Sequence, residues 1–454
     1  MVKVVKFGGS SVAGAAQFTK AAEIVRGDVE RRIVVVSAPG KRFADDIKTT
    51  DLLIELAESV KKGRDFSGEM QAVIDRYAAI IEELDLPFSL LDSLKKQLSH
   101  LVDTYKEDEP RLFDALMASG ENENAKLMAA YLRQLGEEAH YVSPEEAGMV
   151  VTDDPANARI LPEAYDRLKN LRNRSGLLVV PGFFGVSKNG HIVTFPRGGS
   201  DITGSILAAG VEASLYENFT DVDSVYSVNP ALIENPQEMK EITYREMREL
   251  AYAGFSVFHD EALQPVVAEK IPVCIKNTNH PEADGTLIVD QREQKGLPVV
   301  GIASDKGFIT INLRKYLMNR EVGFGQHLLQ ILAEEGISFE HTPSGIDNMS
   351  VIVREEYMEE GKEEKILARI RAELNVEEVH VERDLAMVMV VGEGMARTVG
   401  VAAKATTALA EAGVNIKMIN QGSSEVSMMF GVNASEADLA VKSLYKACFA
   451  QVKA

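Results

Sequence analysis

Short β-branched runs alternate with helical stretches from the start of this 454-residue chain. "VKVVKF" reads as a strand and "AGAAQFTKAAEIVRG" as a helix ending at Gly27. "RRIVVVSAP" is another strand, apolar through its middle, as a strand buried on both faces of a parallel sheet should be. Residues 66–109 are acidic and read as a helical and loop-like excursion over the sheet. Helix "ENAKLMAAYLRQLG", strand "EAHYVS", helix 162–174 and strand "GLLVVPGF" follow. Helix "GSDITGSILAAGV" leads to strand "ASLYENFTDVD", and helix 243–254 to strand "IPVCIKN". This alternation predicts a three-layer α/β domain around a mainly parallel sheet, taken as residues 1–292.

"DQREQKGLP" at 290–298 is polar, contains Gly and Pro, and reads as a linker. Beyond it the units are small. Strand 308–313, helix 323–335, strands 337–341 and 348–353, helix 358–373 and strand 377–381 form one unit, 308–384. That is βαββαβ, the ferredoxin-like order. A second unit begins at Leu385 with strand "LAMVMVV", helix 395–412, strands "GVNIKMIN" and "EVSMMFGV", and helix 434–450. It stops one strand short, and "VVGIA" at 299–303 is left over. The strand count therefore predicts that 299–304 plus 385–454 form the second unit, with the first inserted in it.

The chain carries 49 basic and 69 acidic side chains, a formal net charge of −20. Such a chain is ill suited to wrap nucleic acid or an anionic membrane. An anionic ligand must instead meet a local basic cluster. Cys274 and Cys448 lie far apart, outside any CxxC or Cys/His pattern, and suit a reducing cytoplasm. No apolar run approaches the roughly 20 residues that span a bilayer. The expectation is a soluble cytoplasmic protein with no metal cluster of its own.

Lys6 lies inside the first apolar strand and is followed by Gly8, Gly9, Ser10 and Ser11. Glycines let amides approach an anion, and the next helix adds a favourable dipole. The stretch matches neither GxxxxGK[ST] nor GxGxxG, so alone it is equally a plain strand–helix connector. "FPRGGSDITG" places Arg197 before two glycines, with Ser200 and Asp201 near a helix start. It is either a helix cap or an anion site in which Arg197 forks onto a carboxylate. Thr220, Asp221 and Asp223 end a strand, where doubly wound folds place ligands. Acids there orient a lysine, hold Mg²⁺, or serve ordinary turn chemistry. "ASGENENAKLMAAYL" places Glu121 at a helix start, where a carboxylate usually offsets the dipole.

Together, "VVKFGGSSV", "VVVSAPGK…TTDLL", "ASGENENAKLMAAYL", "FPRGGSDITGSILA", "ENFTDVDSVYSVNP" and "NQGSSEVSMMFGV" resemble the aspartokinases over nearly the whole chain. The resemblance implies an amino-acid-kinase domain followed by two ACT domains. It implies transfer of the ATP γ-phosphoryl group, with Mg²⁺ on the nucleotide, to the β-carboxylate of L-aspartate. Lys6 and Asp221 would be catalytic, with Asp221 orienting Lys6. Gly8, Gly9 and Ser10 would donate to phosphate oxygens, and Thr220, Asp221 and Tyr226 would hold the nucleotide. Arg197 and Ser200 would take the substrate α-carboxylate and Glu121 its ammonium, with Ala38, Thr50 and Phe183 lining the pocket.

The chain departs from the commonest aspartokinase pattern at two nucleotide contacts. Asn229 and Ala231 stand where an acid and an arginine are usual, and Ser256 and Asp260 where a lysine and a proline are usual. Either other cations, such as Lys240 or Lys276, substitute for the lost ones, or ATP binding is weaker. In the first ACT unit, Met318, Asn319, Arg320, Gly323 and Phe324 would form one wall of an effector site. Phe339, Glu340, Ser344, Gly345 and Asp347 would form the other. The acidic pair suits a cationic effector such as lysine, with threonine the other candidate. The alternative reading is that Phe324 and Phe339 are core residues and Glu340 is a solvated strand residue. Edge strands of the small units predict a homodimer through the ACT domains. The alternatives are a kinase for another amino acid, such as glutamate, and a sensor that has lost turnover.

Overall fold

The computed structural model describes residues 1–196, 198–255, 260–293, 296–359 and 361–449. The chain divides into two compact units. The first holds Met1–Val225, Glu238–Arg248 and Ser256–Arg292. Two segments inside 1–292, Tyr226–Gln237 and Glu249–Phe255, belong to the second unit with Glu293–Ala454. The domain boundary is therefore less simple than a single cut at the linker.

The first unit is built on an eight-stranded sheet. Its order is Glu241–Thr243, Thr286–Val289, Val273–Asn277, Leu215–Thr220, Lys3–Phe7, Arg31–Val36, Leu177–Pro181 and Ala139–Tyr141. Every pairing is parallel except that between Val273–Asn277 and Thr286–Val289. Val4, Val5 and Phe7 are wholly buried, as are Val34, Val35 and Val36 beside them. Such strands need helices on both faces, and the apolar runs supply no solvent-facing alternation. Phe7 pairs in register with both Val36 and Phe219, and Val36 with Pro181. Four parallel strands thus end in a row, delivering Gly8, Ser37, Gly182 and Thr220 to one edge of the sheet.

The excursion is more regular than the sequence predicts. It consists of complete helices Ser67–Glu83 and Ser89–Tyr105, each burying one apolar face. The next helix runs from Glu109 to Gln134, so Glu121 lies in its middle rather than at a helix start. Asp108 caps this helix by accepting from the Arg111 amide, and Pro110 occupies its first turn.

The second unit carries a five-stranded antiparallel sheet: Asn348–Arg354, Gly301–Arg314, Glu378–Val391, Ser427–Asn433 and Met418–Asn420. Residues 301–305 pair with 387–391, the pairing that nests the first βαββαβ unit within the second. The expected short strands are joined, however. Gly301–Arg314 is one strand of 14 residues, with its register broken between Asp305 and Phe308. Glu378–Val391 likewise runs through both halves. Helices Phe324–Glu334 and Lys362–Leu374 cover one half, and Val401–Glu411 and Ala437–Phe449 the other. The strand expected at 337–341 is reduced to a bridge between His341 and Ile352.

Candidate active site

Lys6 is 7% exposed, and a buried ammonium is costly unless paired. Its Nζ lies 2.5 Å from Asp201 Oδ1 and 3.4 Å from Asn218 Oδ1. The Asn218 side-chain amide also donates to Asp201 Oδ1, at 2.8 Å. Asn218 is the register neighbour of Lys6 on the adjacent strand. Asp201 comes from the first turn of the Gly199–Gly210 helix, where a carboxylate is favoured by the dipole. The partner of Lys6 is therefore Asp201, not Asp221. Asp221 lies beyond the strand end, is exposed, and accepts from Thr220 Oγ1 at 3.1 Å. The stretch "GGSDITG" contained the signal, an acid in the first turn after two glycines.

The Gly8–Ser10 turn enters a short 3₁₀ helix, Gly9–Val12. The first amides of such a helix have no partner within it. Gly40, from the turn after the next strand, donates its amide to Gly9 O at 2.9 Å. A Cβ at Gly40 would stand 2.6 Å from Gly9 C and 2.8 Å from Ser10 N. The two turns are packed backbone against backbone, and only glycine permits it. Lys6, Gly8, Gly9 and Thr220 border a cleft of about 870 Å³. Ser10 is exposed and does not line it. Tyr226 belongs to the second unit and is not among the lining residues.

The same cleft receives Thr50, Glu121, Phe183 and Ser200. Thr50 is the second residue of helix Thr49–Lys61. Ser200 is the second residue of the Asp201 helix, and a Cβ at Gly182 would meet its Oγ at 2.6 Å. Phe183 holds a left-handed φ of 77°. Its amide donates to Thr203 Oγ1 at 2.9 Å and its carbonyl accepts from the Phe195 amide at 2.8 Å, which fixes that strained turn. Ala38 is buried and does not line the cleft; its amide instead donates to the Glu121 carboxyl. Arg197 lies outside the described residues.

Glu121 is 4% exposed, and its Oε2 has no hydrogen-bond partner among the described residues. Burial lifts its carboxyl to about 8, against the opposing pull of the Ala38 amide and the Lys6 charge. A buried carboxyl with a vacant acceptor at the wall of a cleft is matched to an ammonium group. Among the other residues that line the cleft, three charged ones had no role assigned from the sequence: Asp201, Asp114 and Lys48.

In the second unit the expected effector walls are tied together. The Leu317 amide donates to Asp347 Oδ1 at 2.8 Å, the Lys315 amide to Asp347 O at 2.8 Å, and the Asn319 amide to Ile346 O at 3.1 Å. Gly345 donates to Asn348 O at 2.8 Å, and Ser344 bridges Met349. Met318 and Phe324 are core residues, with Gly323 at φ 83° capping the helix. Phe339 is 45% exposed, as are Asn319 and Arg320 in kind. Glu340 is not a free wall residue. It accepts from the Tyr252 hydroxyl, and its Oε1 lies 3.5 Å from Arg354 Nε.

Comparison with known proteins agrees with this geometry. The amino acid kinase family model matches residues 1–277, and an ACT domain model matches residues 388–448. The chain is 55% identical to Aspartokinase 3 of Bacillus subtilis over 451 residues, 99% of each chain. It is 28% identical to the lysine-sensitive aspartokinase 3 of Escherichia coli, over 99% of each. The crystal structure of Clostridium acetobutylicum aspartate kinase matches with a TM-score of 0.84 and 38% identity, over 98% of this chain and 100% of that one. Escherichia coli aspartokinase III in complex with aspartate and ADP matches with a TM-score of 0.82 and 27% identity, over 99% and 100%. With that coverage at both the catalytic and the regulatory end, this chain belongs to the aspartokinases of the amino acid kinase family.

Proposed function

We propose that this protein transfers the γ-phosphoryl group of ATP to the β-carboxylate of L-aspartate, giving 4-phospho-L-aspartate and ADP. One observation carries the proposal: the buried Lys6–Asp201 pair borders the same cleft as the Glu121 carboxyl, whose Oε2 has no partner among the described residues. Phosphoryl transfer is chiefly positioning and charge stabilisation, and the attacking carboxylate needs no covalent help from the protein. Lys6, held in place by Asp201 and Asn218, neutralises charge on the transferring group. The Gly8 and Gly9 turn supplies close backbone approach to the phosphates. Glu121 takes the α-ammonium in its ionised form, while Ser200 and Arg197 take the α-carboxylate.

The described residues hold no group of three or more His, Cys, Asp or Glu side chains able to bind a metal alone. Mg²⁺ would be carried by the nucleotide phosphates, with Asp221 at the Thr220 strand end as the carboxylate that would meet it. When bound, the ion offsets phosphate charge. Lys276, half-buried on the strand beside Phe219, is the better placed substitute for the missing cations; Lys240 is exposed.

The same proposal includes feedback control by an end-product amino acid, lysine or threonine, at the first ACT unit. Escherichia coli aspartokinase III, which this chain resembles, is known in a complex with lysine and aspartate. Homodimerisation through the ACT region would use the edge strand Met418–Asn420, since residues 340–344 already bond the outer side of Asn348–Arg354. The role would be the entry step to lysine, threonine and methionine synthesis in the cytoplasm. No described helix is long and apolar enough to cross a membrane. Aspartate-dependent release of ADP from Mg²⁺-ATP, with and without lysine and threonine, tests the proposal. ADP release that does not depend on aspartate contradicts it.

A further inference from the structure

Asp114 has no part in the roles above. It lies two helical turns before Glu121 on the same face of the Glu109–Gln134 helix, and both border the cleft. It is 2% exposed. Its Oδ1 accepts from Thr194 Oγ1 at 2.6 Å and from the Ala156 amide at 3.1 Å. Burial raises its carboxyl pKa, and those two donors, with the Thr194 amide and the Arg111 charge, pull it back. Ala156 has a φ of 59°, a left-handed conformation unfavourable to a residue with a Cβ. Such a turn persists only where its surroundings over-determine it. The Ala158 amide adds a bond to Thr194 O at 2.9 Å.

Thr194 ends strand Ile192–Thr194. Phe195 follows, its amide bonded to Phe183 O, and the chain then reaches the helix start at Gly199 and Ser200. One buried carboxylate therefore ties two cleft-bordering segments to the helix that carries Glu121. We propose that Asp114 is a positioning residue for the amino-acid substrate. By holding Thr194 and Ala156, it sets the distance between Glu121, which takes the ammonium, and the Ser200 helix start, which takes the α-carboxylate. The proposal rests on the aspartate kinase reading of the cleft.

A displacement of about 1 Å in a substrate clamp can cost on the order of 100-fold. The Gly8 and Gly9 turn hangs from other strands, so a shift of the Ser200 helix start reaches the nucleotide side only through Asp201 and Lys6, and there it acts on kcat rather than on the phosphate-binding turn. The required chemistry is a double acceptor. Asn retains one at Oδ1; Ala leaves the buried Thr194 hydroxyl and the part-buried Ala156 amide without that acceptor.

The test is steady-state kinetics on the full chain with both substrates varied, for Asp114→Ala, Asp114→Asn and Thr194→Val. Asp114→Ala should raise the aspartate KM about tenfold or more, with the ATP KM changed less than about twofold. Thr194→Val should move the aspartate KM in the same direction, and Asp114→Asn should recover most of the loss. An aspartate KM unmoved by Thr194→Val overturns the proposal. So does an Asp114→Asn as impaired as Asp114→Ala, or an ATP KM rising in step with the aspartate KM. If Asp114→Ala does not fold, Thr194→Val decides alone. If the unaltered protein shows no aspartate-dependent turnover, the functional reading fails instead. Aspartate-binding calorimetry on the same variants then decides the positioning role.

Discussion

Lys6 Nζ meets Asp201 Oδ1 at 2.5 Å, joining the end of a central strand to the first turn of the Gly199–Gly210 helix. The pair makes the lysine both affordable in the core and fixed in direction. Lys6→Met should lower kcat about 10²- to 10³-fold, the range for removing one preorganised charge-stabilising donor. Asp201→Asn keeps an acceptor for Lys6 and should lose less. Rapid-quench measurement of ADP formation checks both, and a Lys6→Met variant with full turnover would refute the role.

Glu121 links the substrate to pH. Its carboxyl titrates near 8 in the folded protein against an ordinary value of 4.5. Between those values the folded state holds a proton that the unfolded chain has released. Stability therefore falls as the pH rises through that window. Glu121→Gln should be more stable than the parent by a few kcal/mol above about pH 8, at about 1.4 kcal/mol per unit of pKa difference, and no more stable near pH 5. Urea denaturation at the two pH values measures this. A parallel consequence is that aspartate binding at neutral pH should release a proton, visible as buffer-dependent heat in calorimetry.

Arg76 is buried and donates to Gly40 O at 2.9 Å, Asp46 Oδ1 at 3.0 Å and Ile47 O at 2.6 Å. It closes the loop that leads from the Gly40 turn to Lys48 and Thr50 at the cleft. Arg76→Met leaves the buried Gly40 carbonyl and the part-buried Ile47 carbonyl without this donor and removes one charge partner of Asp46; it should cost about 3 kcal/mol in denaturant unfolding. Arg76→Lys should rescue little, because the fork geometry is lost. Hydrogen bonds from Arg42, with the Arg42 and Arg76 charges, hold the Asp46 carboxyl well below its ordinary 3.8. Its contribution is present above that value and should be lost as the pH falls below it.

Gly40→Ala should act on the nucleotide. The added Cβ has nowhere to go but into the Gly9–Ser10 backbone. The turn must shift, so the ATP KM should rise about tenfold or more while the aspartate KM changes less. Equal changes in both would contradict the separation of the two halves of the cleft.

Much of the catalytic unit was legible because its central strands are continuous apolar runs and its turns are marked by glycine. Counting strands also located the pairing of 301–305 with 387–391. Joining of the short strands into long ones was not legible, since the polar residues around Gly307 look like a strand end. The start of the Glu109–Gln134 helix was hidden by charged residues, which the fold tolerates through the Asp108 cap. The partner of Lys6 is a tertiary fact. Strand register brings Asn218 beside it and leaves Asp221 beyond the strand end. In the ACT region, composition could not tell that Glu340 is engaged by Tyr252 or that Met318 and Phe324 belong to the core.

The most direct measurement is trapping of the acyl phosphate with hydroxylamine, using Mg²⁺-ATP with L-aspartate and L-glutamate in parallel, followed by mass analysis of the hydroxamate. The account predicts aspartyl β-hydroxamate, formed in preference to the glutamyl product and at a rate about 10²- to 10³-fold lower in Lys6→Met. Absence of aspartyl hydroxamate, or preferential formation of the glutamyl product, would contradict it.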